Sequence, residues 1–204
     1  MITVGIPLYN CAATIKAVLD QLTLQKIPNL QVIAYDNGST DGTIGLMGEL
    51  FARNYYLGKK SQEQNNLIMS FFTGIHDFSK HPYQNAMMTR KHIARLARTE
   101  FMFFLDADVL IQPYALPQLI KDFKSTKKCG ELGIRYEPDS AHKHVMMGAT
   151  LWKTADFLKI PEFGDWDCQK SCDCNFCVKE VKKMGKVAMY HPDLSARHLK
   201  WKVI

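Results

Sequence analysis

Asp106 and Asp108 stand one residue apart behind the run Phe-Met-Phe-Phe-Leu, and two carboxylates so spaced can hold a hard divalent cation such as Mg²⁺ or Mn²⁺. Such a cation usually completes its shell with substrate phosphates, so the pair points to a phosphate-bearing substrate. The five bulky apolar residues from Phe101 to Leu105 suit a strand buried on both faces of a sheet. Ligands of open α/β sheets gather at the carboxyl ends of strands, which is where both aspartates fall. A strand followed by an acidic turn would look the same on three residues alone. A second group is Cys168, Cys172, Cys174 and Cys177, four of the six cysteines within ten residues. In a cytosolic protein such a cluster suggests metal before disulfides. Its spacing, C-x3-C-x-C-x2-C, differs from the paired C-x2-C knuckles of common zinc modules, so structural Zn²⁺ stands against buried, idle thiols.

These residues need elements to carry them. Residues 2–7 read as a first strand, and residues 12–24 as a helix with apolar positions at Ile15, Val18, Leu19 and Leu22. Residues 30–35 read as a second strand, 36–39 as a turn, and 43–53 as a helix. A third strand is expected over 67–72, a basic helix over 85–98, and then the strand 101–105. This alternation predicts an α/β fold with a mostly parallel central sheet and helices on both faces. The second half is less regular. It predicts helices over 113–124 and 175–184, the latter stopped at Gly185, and strands over 133–136, 144–151 and 187–190.

At 204 residues the chain fits a single domain, with a nucleotide-binding half over 1–108 and an acceptor-side half over 109–204. Its apolar fraction of 47% and charged fraction of 23% are those of a globular protein. No apolar run approaches the roughly 18 residues of a membrane span, and no signal peptide is visible, so the expectation is a cytoplasmic protein, at most peripheral to a membrane. The net charge of +6 mildly favours anionic partners.

VGIPLYN, VIAYDNGSTDGT and TRKHIARLARTEFMFFLDADV together resemble, in order and spacing, the nucleotide-binding half of GT-A-fold glycosyltransferases of family 2. The resemblance covers about the first 110 residues well and the rest loosely. It implies a GT-A nucleotide-diphospho-sugar transferase fold and a hexosyltransferase type of activity. Pro7, Leu8, Tyr9 and Asn10 would then wall the base. Asp36 would accept from a uracil imide N–H, with Asn37 and Ser39 beside it. Turn and helix-cap chemistry for Asp36 and Ser39 is compatible with that role. Arg90 matches the arginine near the diphosphate, although Lys91 and Ile93 depart from the usual Asn and Gly. Arg95 and Arg98 read as a solvated helix face.

By the same resemblance Asp106, Ala107 and Asp108 form the metal-binding motif, and the ion would neutralise the departing diphosphate. His198, six residues after Pro192, matches the family's third metal ligand, with His191 the weaker choice; Lys200 would reach the phosphates. Gly148 lies in the segment lining the donor sugar, where Trp152 and Trp166 are either stacking faces or buried core. An inverting transfer needs a carboxylate base. Asp173, ahead of the helix ending at Gly185, occupies that place although the usual Glu-Asp pair is missing, and Asp165 and Asp167 are its rivals.

The implied cofactor is Mn²⁺ or Mg²⁺. The implied partners are a nucleotide-sugar donor, most simply a UDP-sugar, and an acceptor on glycan, lipid or protein, with no nucleic acid. Two alternatives compete. A sugar-phosphate nucleotidyltransferase needs a glycine-rich loop after the first strand, and PLYNCAAT has no glycine. A zinc-stabilised nucleic-acid-binding module would use the cysteines and positive charge but leaves Asp36, Asp41, Asp106 and Asp108 unexplained.

Overall fold

The computed structural model describes residues 1–57, 67–74, 82–137, 145–162 and 172–199. The first half follows the expected alternation: β1 (Ile2–Leu8), α1 (Ile15–Thr23), β2 (Leu30–Asp36), α2 (Thr43–Leu57), β3 (Leu67–Thr73), α3 (Pro82–Leu96) and β4 (Phe101–Leu105). The second half comprises β5 (Val109–Ile111), α4 (Ala115–Ser125), β6 (Cys129–Glu137), β7 (Ala149–Lys153), α5 (Thr154–Lys159), α6 (Asp173–Lys183) and β8 (Val187–His198). Both halves feed one eight-stranded sheet of order β3-β2-β1-β4-β7-β6-β8-β5. Pairing is parallel from β3 through β4 and between β6 and β8. β7 runs antiparallel to β4 and β6, and β5 antiparallel to β8.

Side chains of β4 alternate between two apolar layers, which explains its unbroken hydrophobic sequence. Phe101, Phe103 and Leu105 join the layer under α1 and α4, while Met102 and Phe104 join the layer under α3, α5 and α6. β1 sends Ile2, Val4, Ile6 and Leu8 to the first layer. On its other face Gly5 lets α3 come close, since a Cβ there would stand 2.6 Å from Ile93 Cγ2.

Several expectations needed correction. The strand expected over 144–151 begins only at Ala149, because Met147 and Gly148 form a turn. The strand expected to stop at residue 190 continues to His198. β5 and α5 were not expected; three residues, or six, are too short to show a period. β5 is held by partners distant in sequence. It pairs with β8, and on α1 the buried Gln21 donates to Val109 O (3.0 Å) and accepts from the Ile111 N–H (2.5 Å).

Trp152 is fully buried, donating from Nε1 to Thr150 Oγ1 (3.0 Å) and packing edge-on against Phe157, so it is core and not a sugar platform. Lys91, which stands where the resemblance has Asn, is also buried. Its Nζ donates to the carbonyls of Phe157 (2.6 Å) and Leu158 (3.1 Å), pinning α5 to α3, and burial pulls its pKa down to about 8. Arg95 and Arg98 are exposed as expected, with Arg95 paired to Glu162.

Glu131 on β6 is fully buried, and neither carboxyl oxygen has a hydrogen-bond partner. Desolvation, with Asp173 adding to it, pushes its pKa well above the ordinary glutamate value, so the fold favours its neutral form. A folded pKa above the unfolded one contributes stability that is complete below about pH 4.5 and fades as pH rises. Glu131→Met should therefore raise stability near pH 7.5. The gain over wild type should widen from pH 4.5 upward by at most about 1.4 kcal/mol per pH unit. Urea melts across that range check this; a variant less stable at every pH would mean the carboxylate is ionised and compensated.

Candidate functional site

The parallel register brings three strand ends together. Leu8 lies opposite Asp36, and Gly5 opposite Phe104, so the chain leaves β1, β2 and β4 on one side of the sheet. The turns after β1 and β2 are stapled to each other. The Asn10 N–H donates to Ser39 Oγ (2.9 Å), and the Thr40 N–H to Asn10 Oδ1 (2.8 Å). Asp41 accepts from the Ala12 N–H (3.0 Å), and Thr43 Oγ1 from the Cys11 N–H (2.9 Å). Asp36 is fully buried. Its Oδ2 accepts from the N–H groups of Gly38 (2.9 Å) and Ser39 (3.0 Å), and its Oδ1 from Ser39 Oγ (2.5 Å). The polar residues of DNGSTDGT thus shape this double turn, the capping role that its composition allowed.

The turns border a cleft of about 240 Å³. Pro7, Leu8, Tyr9, Cys11 and Asn37 line it from the β1 and β2 ends, and Ala86 and Arg90 from α3. Asn37 is fixed by Thr89 Oγ1, which donates to its Oδ1 (2.7 Å). The floor is Asp106, Ala107 and Asp108, and His198 closes the far side. Asn10, Asp36 and Ser39 sit behind this lining. Of the expected residues, Asp165, Asp167, Cys168, Trp166 and Lys200 lie outside the described residues.

His198 reaches the site by strand pairing alone. It stands opposite Val109 in the β5–β8 ladder, and the Leu199 N–H donates to Asp108 O (2.7 Å). Its Nε2 is thereby 3.5 Å from Asp108 Oδ1. His191 has a different task. Its Nδ1 accepts from the N–H groups of Asp193 (3.1 Å) and Leu194 (3.2 Å), and its Nε2 lies 2.7 Å from Asp122, whose carboxyl this contact holds below its ordinary range.

Arg90 is the buried charge at the centre. Its Nη2 donates to Asp106 Oδ1 (2.8 Å) and its Nη1 to Asp173 Oδ2 (2.5 Å). Asp173, the first residue of α6, also accepts on Oδ1 from the Cys174 N–H (3.0 Å). Burial raises its pKa above the ordinary aspartate value, and Arg90 acts against that rise. One residue that matters here, Tyr136, is not legible in the sequence, and a second, Gly148, was expected as part of the segment lining the donor sugar. Tyr136 on β6 is buried, with its hydroxyl near Asp106 and its ring edge-on to that of His198 at 6.1 Å. Gly148 leaves the room this needs. A Cβ there would lie 2.2 Å from both Asp106 Oδ2 and Tyr136 Oη, while the Asp106 N–H donates to Gly148 O (2.9 Å). Gly148→Ala should therefore destabilise the protein by roughly 1–3 kcal/mol and displace Asp106. Urea melts combined with Mn²⁺ titration of nucleotide binding read both; wild-type values for each would show that the neighbours yield without cost.

The three described cysteines of the cluster have other partners. Cys172 caps α6, its Sγ accepting from the Asn175 N–H (3.4 Å), Cys174 Sγ accepts from the Met147 N–H (3.3 Å), and Cys177 is buried in the core. Among the described residues no three His, Cys, Asp or Glu side chains form a ready metal cage. Asp108 and His198 do line the same cleft, with a carboxylate oxygen and an imidazole nitrogen 3.5 Å apart. That set suits a divalent ion whose remaining ligands come from phosphate.

Residues 3–76 match the family model described as glycosyl transferase family 2. The chondroitin synthase of Pasteurella multocida (strain Pm70) and the hyaluronan synthase of Pasteurella multocida are each 24% identical over 127 residues, 62% of this chain. The chain spans only 11% of either relative's length. Among solved structures, residues 1–349 of S. aureus TarS match with a TM-score of 0.66 at 18% identity, over 97% of this chain and 60% of that one. The mannosyltransferase PcManGT from Pyrobaculum calidifontis, in complex with GDP-Man and Mn²⁺, matches with a TM-score of 0.68 at 18% identity, over 99% of this chain and 57% of that one. The chain has the GT-A fold of these glycosyltransferases, and its residues 3–76 resemble family 2.

Proposed function

We propose that the chain is the catalytic domain of a metal-dependent glycosyltransferase that moves a sugar from a nucleoside-diphosphate sugar to an acceptor hydroxyl. The observation that carries this reading is the cleft itself. Asp106, Asp108 and His198 converge beside Arg90 at the carboxyl ends of the central strands, with Pro7, Leu8 and Tyr9 as an apolar wall. The donor is a UDP-sugar, a choice supported by the TarS structures in complex with UDP and with UDP-GlcNAc. The GDP-Man complex of the mannosyltransferase makes a GDP-sugar the second reading. Glycan is the acceptor class, on the model of the two polysaccharide synthases.

Asp108 and His198, with Asp106 beside them, would hold the divalent ion, which supplies Lewis-acid stabilisation of the leaving diphosphate. Pro7, Leu8 and Tyr9 bind the flat base, while Asp36, buried behind them and accepting from Gly38 and Ser39, acts by holding the turn that carries Asn37 to the cleft and not by touching the base. Asp173 takes the proton of the acceptor hydroxyl as that oxygen attacks the anomeric carbon and the sugar–phosphate bond breaks. Its raised pKa makes it a stronger base than an ordinary aspartate. No helix among the described residues is long and apolar enough to cross a membrane.

A thermal-shift screen of UDP, GDP and their sugars, with Mn²⁺ or with chelator, tests the reading. Ligands of the native state raise apparent stability, by about 2.7 kcal/mol at a hundredfold excess over Kd. UDP and UDP-sugars should stabilise only with Mn²⁺. Stabilisation by GDP alone would transfer the donor to the second reading, and none by any nucleotide would remove the proposal.

A further inference from the structure

We infer that Arg90 is a positioning residue that locks the metal motif to the start of α6, so that the donor site and the acceptor-side carboxylate are built as one unit. The inference rests on the functional reading above and departs from the sequence expectation that Arg90 meets the diphosphate. Its guanidinium side chain is only 5% exposed. A cation so buried persists only with anionic partners. Two supply it from opposite halves of the chain: Asp106 behind β4, and Asp173 at the first turn of α6. The two terminal nitrogens are divided, one to each carboxylate, instead of gripping one carboxylate with both. A rigid planar fork therefore sets the separation of Asp106 Oδ1 and Asp173 Oδ2, which an ammonium, a single point charge, cannot do.

The surroundings leave Asp106 little room to move. Its N–H is bonded to Gly148 O, and its Oδ2 faces the space above Gly148 beside Tyr136 Oη. Oδ1 is the side turned to Arg90. Asp173 is equally fixed, by the Cys174 N–H and by its place at the helix start. Without Arg90 the buried Asp173 and the partly exposed Asp106 would face each other with no cation between them, and one would move or take up a proton. Arg90 thus acts on the donor through Asp106 and on the acceptor side through Asp173.

A double-mutant cycle separates this role from direct contact with phosphate. Arg90→Gln, Asp173→Asn and the double variant are compared for UDP affinity, with Mn²⁺ and with chelator, and for stability in urea. Arg90→Gln alone should weaken Mn²⁺-dependent UDP binding by about tenfold or more. In the Asp173→Asn background, where no second buried charge is stranded, the same change should cost less than about threefold. Arg90→Lys should behave like Arg90→Gln. Equal losses in both backgrounds would overturn the inference in favour of phosphate contact, as would recovery by Arg90→Lys. Equal losses with Mn²⁺ and with chelator would reduce Arg90 to a structural role. If Arg90→Gln does not fold, folding of the double variant supports the clamp and its failure to fold refutes it. Wild type that binds neither UDP nor GDP with Mn²⁺ would strike the functional reading instead, and the urea cycle still reads the clamp without ligand.

Discussion

Replacing Asp108 with Ala should abolish the Mn²⁺-dependent part of UDP binding, a loss of at least about 100-fold, while leaving the fold intact. Loss of outer partners of metal ligands already costs roughly 10–100-fold, so a direct ligand should cost at least as much. Asp108 is the better choice for this test than Asp106. It follows β4 without bearing on a buried cation, and its neighbour is His198 at 3.5 Å. Asp106→Ala would strand the buried Arg90 with half of its countercharge, so stability would fall along with binding. Calorimetric titration with UDP, with and without Mn²⁺, alongside a thermal melt, separates the two variants. Unchanged Mn²⁺-dependent affinity in Asp108→Ala would sink the metal assignment.

Asp173→Asn should leave nucleotide-sugar affinity near wild type and lower turnover by roughly 10²–10⁴-fold. Asparagine keeps the shape and can still accept from Arg90, but it cannot take a proton from the acceptor. The raised pKa of Asp173 and its location one guanidinium away from Asp106 give this residue the expected basicity beside the donor site. Asp165→Asn and Asp167→Asn should be milder. A dead variant at either rival position, with near-normal turnover in Asp173→Asn, would move the base. Product analysis adds an independent check, because a single base predicts an inverted anomeric centre and retention would rule that mechanism out.

Sequence alone sufficed for the first half of the fold and for the floor of the cleft. β1 and β4 are buried on both faces, so their apolar runs are unbroken and can be read without knowing their neighbours. Glycine-rich turns and strand-end carboxylates follow such runs directly, so Asp36, Asp106 and Asp108 were legible from adjacency. Tertiary structure decided what adjacency cannot encode. His198 comes to Asp108 only because a three-residue strand, β5, pairs with β8, and β5 in turn depends on a glutamine 88 residues away. Nothing in the local sequence marks the charges of Arg90 and Lys91 as buried. Their burial is tolerable only because partners 83 and 66 residues distant come to meet them, Asp173 for the one and the Phe157 carbonyl for the other. A charge in a low-dielectric interior is stable by virtue of its partners, and when those partners are remote in sequence no local pattern can announce it.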